Sequence, residues 1–374
     1  MKKICFAIFS VHLIALLSCN QASTKKSPAE NNAITSADTI ITFFTGTWTE
    51  ALSEAAKRHK PIFVDAFAAW CAPCKMMEKT VFKLPEVGKY YNKHFISYRM
   101  DVEKGEGIDF KKKYTITGYP SFLFFNEDGS LAHQVQGSDG VNNAAGFIAL
   151  AKEASNPELA LFSLKRKYDS GNREDTFLLK YLLAKLRAFH FTENCSAEME
   201  EYIKLHPLPL DVTVGNWTFI QSFITDINHP YFKELQNKKT KFTGIIYANE
   251  INKKIYSTEM DYYLEKKDWK NYTTSAVNMM ESVSPVDIWA VNDIAWNFYE
   301  HVIDTVYLGK ALAWMQKATE HEIHYEFYDT YSHLLYKTGD KIKATENAKL
   351  ALDAAKKEGS DVADMEKWFK EISK

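Results

Sequence analysis

The sequence predicts an α/β domain over residues 39–155 followed by an all-α region over residues 156–374. Up to about residue 155, short runs rich in Phe, Val, Ile and Tyr alternate with stretches of helical apolar spacing. Beyond Pro157 helical periodicity dominates and β-rich runs are few. The chain, 374 residues long, exceeds one ordinary domain, and 46% hydrophobic with 25% charged residues is the composition of a globular protein with a sizeable core.

Element by element, a strand is expected at 40–44 and a helix at 49–59, where Ala51, Leu52, Ala55 and Ala56 share a face. A strand at 61–67 leads into the run Trp70-Cys71-Ala72-Pro73-Cys74, which opens a helix. A strand at 95–101, a helix at 108–114, strands at 121–125 and 131–136, and a helix at 141–153 follow. Asp128-Gly129 joins the last two strands as a hairpin. The result is a central mixed sheet with flanking helices, in the order β-α-β-α-β-α-β-β-α.

The two cysteines carry the chemistry. A thiol that follows a buried strand and begins a helix sits beside free backbone N–H groups and the positive end of the helix dipole, which favours its thiolate. Cys71 is therefore the expected attacking sulfur, and Cys74, one turn further in, the resolving one. Pro73 fits the first helical turn, where its missing N–H is no loss. Asp65 lies six positions before Cys71 in an apolar strand. It reads either as a buried acceptor for the Cys74 proton or as a strand-edge acid reaching water. Pro120 precedes an apolar strand and reads as a cis-proline packed against the cysteines, or else as an ordinary turn proline. A zinc site needs about four N or S ligands, and a single CxxC falls short. No P-loop, GxSxG or HExxH pattern occurs, so no metal or cofactor is expected. His59, His94 and His133 are isolated and read as surface or satisfied residues.

Taken together, Asp65, Trp70-Cys71-Ala72-Pro73-Cys74-Lys75 and Gly118-Tyr119-Pro120 resemble the thioredoxin superfamily over residues 40–155. The element order is that family's arrangement with an extra N-terminal strand and helix. Residues 78–87, Glu-Lys-Thr-Val-Phe-Lys-Leu-Pro-Glu-Val, resemble the branch that includes the periplasmic C-terminal domain of DsbD-type interchange proteins. The resemblance implies that Cys71 is the nucleophile, that Cys74 resolves, and that Trp70 and the Tyr119-Pro120 loop bind the substrate chain. Ala72 stands where thioredoxins proper have glycine, and Tyr119 where they have threonine or isoleucine, two departures that bear on redox potential and partner choice.

Lys2 and Lys3 precede an apolar stretch at 4–17, long enough for an export signal and short for a membrane span. Leu16-Leu17-Ser18-Cys19 resembles the lipobox of bacterial lipoproteins, which implies cleavage before Cys19 and its acylation; the alternative is a plain signal peptide. Residues 19–38 then read as a flexible tether, and the expected location is the cell envelope, lipid-anchored and facing the periplasm. A formal charge of −2, more negative once Lys2 and Lys3 leave, speaks against a nucleic-acid partner. Cys195 stands alone and reads as structural or idle.

In the helical half, small residues at Ala344, Ala348 and Ala351 follow the turn Thr338-Gly339-Asp340. Ala311, Met315 and Ala318 repeat that spacing 33 residues earlier, after Leu308-Gly309 as a turn. This resembles tetratricopeptide (TPR) repeats, with residues 264–280 around Asp268-Trp269 as a degenerate third. The many Trp residues here read as core, and residues 156–260 as mostly helical. The expected function is dithiol/disulfide exchange with disulfide-containing exported proteins, in the reducing or isomerising direction, with a membrane electron donor. The other reading is a TPR-like scaffold that binds a protein partner and carries a regulatory redox domain.

Overall fold

The computed structural model describes residues 40–189, 195–321 and 324–374. It divides into two compact units between Pro207 and Leu208.

The first unit is built on a four-stranded sheet of β1 (Ile62–Phe67), β2 (Ile96–Asp101), β3 (Ser121–Phe125) and β4 (Leu131–Gln136), in the order β2-β1-β3-β4. β1 runs parallel to β2 and antiparallel to β3, which pairs antiparallel with β4. Alternation along β1 sends Ile62, Val64 and Ala66 to one face, against α1 (Trp48–Arg58) and α4 (Gly107–Lys113). Phe63 goes to the other, where α2 (Ala72–Lys79), α3 (Pro85–His94) and α5 (Ala144–Ala154) cover it with Met77, Val87, Tyr91 and Phe147. Because both faces are covered, β1 and β3 are apolar without interruption except at Asp65 and Ser121. A capping box between Thr47 and Glu50 starts α1, Pro85 sits in the first turn of α3, and the Asn143 side chain caps α5.

The strand expected at 40–44 is reduced to a single parallel bridge between Phe43 and Ser97. Its backbone is engaged elsewhere: Ile41 N–H donates to Phe82 O, and Asn92 of α3 takes Thr42 N–H on its side-chain oxygen while donating to Ile40 O. Gly88 makes this close passage available, since a Cβ there would lie 2.5 Å from the Ile40 backbone. α3 itself is an element that the expected order lacked.

Three more helices belong to this unit: α6 (Leu161–Asp169), α7 (Asp175–Phe189) and α8 (Ser196–Leu205). α6 and α7, which follow the break at Pro157, pack on β4 and bury its polar side chains His133, Gln134 and Gln136. His133 Nδ1 accepts the Leu161 N–H at 3.0 Å, and Gln136 donates to Ala188 O. Arg187 Nη1 donates to both carboxylate oxygens of Glu153 on α5, and His133 Nε2 lies 3.6 Å from the same carboxylate without a hydrogen bond. Burial pushes the His133 pKa down to about 4; nearby Glu153 opposes that shift and Arg187 adds to it.

In the second unit, α9 (Val214–Phe223), α10 (Pro230–Asn237) and the short α11 (Lys239–Phe242) precede a succession of longer helices. These are α12 (Ala248–Lys266), α13 (Trp269–Ser282), α14 (Ile288–His301), α15 (Thr305–His321), α16 (Tyr325–Lys337), α17 (Lys341–Glu358) and α18 (Ala363–Ile372). Both sets of residues are buried, Ala311, Met315 and Ala318 on α15 and Ala344, Ala348 and Ala351 on α17. Asp268 caps α13 directly after α12, and Gly339 with Asp340 forms the turn into α17. Leu308-Gly309 is not a turn. Both lie inside α15, whose start is set by Asp304 accepting from Val306 N–H; Leu308 is buried and Gly309 faces open space. No described helix is long and apolar enough to cross a membrane.

The sheet encloses two titratable groups of opposite behaviour. Asp65 on β1 is raised to about 6, chiefly by burial and against the pull of Arg99. Its folded form binds the extra proton, so its contribution to stability falls as pH rises from the unfolded carboxylate range through about 6. His133 is depressed, so its contribution is lost as pH falls from about 6.5 to about 4. Between pH 4 and 6 the two contributions oppose one another. Relative to the parent chain, Asp65→Asn should therefore lose stability on acidification and His133→Asn should gain it. Urea midpoints of the first unit's transition at pH 4.5 and 6.5 check this; slopes of the same sign in the two variants would contradict it.

Candidate active site

α2 begins immediately after Cys71, which is its N-cap residue, with φ −66° and ψ 110°. The Cys71 N–H donates to Ala68 O, holding the turn from β1, and Pro73 sits inside the first helical turn. Cys71 and Cys74 are joined by a disulfide, with sulfurs 2.02 Å apart. The Cys74 N–H, one of the free donors of the helix start, points at Cys71 Sγ at 3.0 Å. Both cysteines are only 2% exposed, so burial does not distinguish the two sulfurs in the disulfide form. The asymmetry is in hydrogen bonding: Cys71 Sγ faces the helix N-terminus and accepts from it.

Phe67, Ala68 and Tyr119 pack around the pair. The Tyr119–Pro120 peptide bond is cis, Pro120 is buried, and its carbonyl accepts the Gly137 N–H at 2.7 Å. Trp70 is the open part of the site, 67% exposed, with its ring 5.7 Å from that of Tyr119. Its indole N–H donates to Glu103 at 2.7 Å. Gln136 of β4 reaches this loop as well, accepting the Thr117 hydroxyl at 3.1 Å.

Asp65 is buried and does not reach water. Its Oδ2 accepts from Arg99 Nε at 3.0 Å, while Oδ1 is buried without a hydrogen-bond partner. The parallel register of β1 and β2 places Arg99 directly beside it. Arg99 also holds Glu78 of α2 at 2.9 Å and lies 4.3 Å from the centre of the Phe67 ring. Desolvation outweighs the cation and lifts the carboxyl to about 6, so Asp65 exchanges its proton near neutrality.

The structure thus brings Trp70, Cys71, Cys74, Tyr119 and Pro120 together, with Asp65 on the sheet face that α2 covers. Cys19 lies outside the described residues. Arg99, Glu78, Glu103 and Gln136 were not read from the sequence. Arg99 had a signal of its own, a cation in the otherwise apolar run of β2, but its pairing with Asp65 depends on a register that no local pattern encodes. Among the described residues no cluster of three His, Cys, Asp or Glu side chains converges as a metal site. Cys195 is fully buried, and burial pushes its thiol up to about 11, which disfavours its thiolate at neutral pH.

A family profile described as thioredoxin-like matches residues 44–127. The thiol:disulfide interchange protein DsbD of Pseudomonas fluorescens is 37% identical over 82 residues, 21% of this chain and 14% of that protein's length. The crystal structure of the oxidised DsbD C-terminal domain from Neisseria meningitidis is 26% identical, covers 30% of this chain and 99% of that domain, and has a TM-score of 0.26. A thioredoxin of Echinococcus granulosus is 33% identical over 86 residues, 23% of this chain and 75% of its own length. With the disulfide at the start of its helix and three quarters of a thioredoxin matched at that identity, this chain belongs, through its first unit, to the thioredoxin family.

Proposed function

We propose that the first unit exchanges its Cys71/Cys74 pair with disulfides of exported proteins, in the reducing or isomerising direction. The observation that carries this is the Cys74 N–H aimed at Cys71 Sγ at the start of α2. In the reduced protein the same donor supports a Cys71 thiolate. That thiolate attacks a substrate disulfide, forming a mixed disulfide as one substrate sulfur leaves with the electron pair. Cys74 then loses its proton to Asp65 and attacks Cys71 Sγ, closing the internal disulfide and releasing the second substrate thiolate. Two electrons pass to the substrate, and a membrane-bound dithiol donor restores the pair. Trp70, Tyr119 and Pro120 form the surface that receives the substrate chain. Ala72-Pro73 adds no positive charge between the cysteines, which favours a reductant over a strong oxidant. Acylated Cys19 anchors the chain to the envelope, and the helical unit, read as TPR-like, holds a protein partner.

Three outcomes are expected. Cys74→Ala should accumulate mixed disulfides with envelope proteins that a reducing agent releases and that Cys71→Ala lacks; non-reducing gels and mass spectrometry of the adducts read this. Asp65→Asn should slow closure of a preformed mixed disulfide by at least tenfold at pH 7 and abolish the decline in closure rate that the parent shows below about pH 6. An unchanged pH profile would remove Asp65 from the proton path. Cys19→Ala should move the protein from the membrane to the soluble fraction without loss of disulfide reduction in vitro, and retention in the membrane would refute the lipid anchor.

A further inference from the structure

Glu103 follows β2 and touches both walls of the site. Its Oε2 accepts the Trp70 indole N–H at 2.7 Å and its Oε1 accepts the Tyr119 hydroxyl at 3.1 Å. Lys111 of α4 lies 3.8 Å from the same Oε1, donates to the Tyr119 oxygen and sits 5.1 Å from the centre of its ring. One carboxylate and one ammonium therefore fasten the residue before Cys71 to the residue before Pro120. The two rings meet edge to face at an interplanar angle of 73°, and Tyr119 packs against the cysteines. Beneath this rim Cys71 is 2% exposed, although the indole beside it is open to solvent.

We infer that Glu103 and Lys111 are positioning residues that set the specificity of the site, holding Trp70 and Tyr119 as a rim that admits polypeptide thiols and disulfides and disfavours small free thiols such as glutathione. Displacing Tyr119 from Cys71 costs charge-assisted hydrogen bonds to Glu103 and Lys111. A polypeptide segment offsets that cost by burying the exposed face of Trp70, whereas a tripeptide offers little apolar surface to do so. The inference rests on Cys71 being the exchanging sulfur. When glutathione reduces the pair, its thiolate bonds to Cys71 Sγ as the Cys71–Cys74 bond breaks, and the electron pair goes to Cys74 Sγ, which takes a proton. A second glutathione thiolate then displaces Cys71, yielding oxidised glutathione and the dithiol.

The test uses the full chain and two probes. The oxidised chain is mixed with reduced glutathione and the rate constant read by tryptophan fluorescence and by alkylation with mass spectrometry; the reduced chain is assayed for reduction of insulin disulfides. Glu103→Ala and Lys111→Met should raise the glutathione rate constant about tenfold without a matching rise in insulin turnover, so that the ratio of the two rates shifts toward glutathione, with an unchanged midpoint potential and thermal transition. Tyr119→Phe, which keeps the ring and removes the hydroxyl, should reproduce the glutathione effect, and Lys111→Arg should restore the parent value. Unchanged glutathione rates, or equal changes with both probes, would overturn the rim. A parent chain that fails to reduce insulin would instead sink the exchange reading, and the glutathione rates would still decide whether the rim guards the disulfide.

Discussion

An aspartate on an interior strand has to be compensated where it sits, because neither face of β1 reaches water. Arg99 does this from the neighbouring strand, and its own charge is shared with Glu78 on the redox helix and the Phe67 ring at the end of β1. The chain of charges from Asp65 through Arg99 to Glu78 therefore joins β1, β2 and α2 at the place where the cysteines must be held. Compensation is incomplete: one carboxylate oxygen is left without a hydrogen bond, and desolvation outweighs the guanidinium. A fully satisfied ion pair would hold the carboxyl ionised well below neutrality. The partial one leaves it able to gain and lose a proton.

What could be read from the sequence is what local chemistry determines. The strands at β1 and β3 follow from runs of aromatic and β-branched residues, β4 from the Asp128-Gly129 hairpin turn that precedes it, and the start of α2 from a cysteine before Ala72-Pro73. Pro120 was singled out by its place before an apolar strand. The misreadings arose where distant partners decide. Residues 40–44 have strand composition, yet α3 claims their backbone through Asn92, and only Phe43 remains to bridge β2. Glu103 and Lys111 look like ordinary surface charges in sequence. They acquire meaning only when the fold carries α4 and the end of β2 to the mouth of the site. Gly309 misled for the opposite reason: its local signal for a turn was overridden by Asp304, which starts the helix five residues earlier.

In the helical unit, apolar spacing marks buried residues more readily than it marks where a helix begins. Ala311, Met315 and Ala318 are buried on α15 and Ala344, Ala348 and Ala351 on α17, yet Ala311 is the seventh residue of its helix and Ala344 the fourth. Large aromatics also pack between helices, such as Trp368 of α18 stacked on His333 of α16 at 3.9 Å. The expectation that the tryptophans of this half are core holds for Trp217, which is buried, and not for Trp289, which is 40% exposed.

The cover over β4 has a consequence for how other chains meet this unit. A bare outer strand offers unpaired backbone donors and acceptors, and extended peptides exploit such margins by adding themselves as a further strand. Here α6 and α7 lie against β4 on one side, and the segment at residues 40–44 lies against β2 on the other. Among the described residues both outer strands are therefore met by other parts of the chain. The loops above the carboxyl end of β1 stay open by comparison, and Trp70 there is 67% exposed.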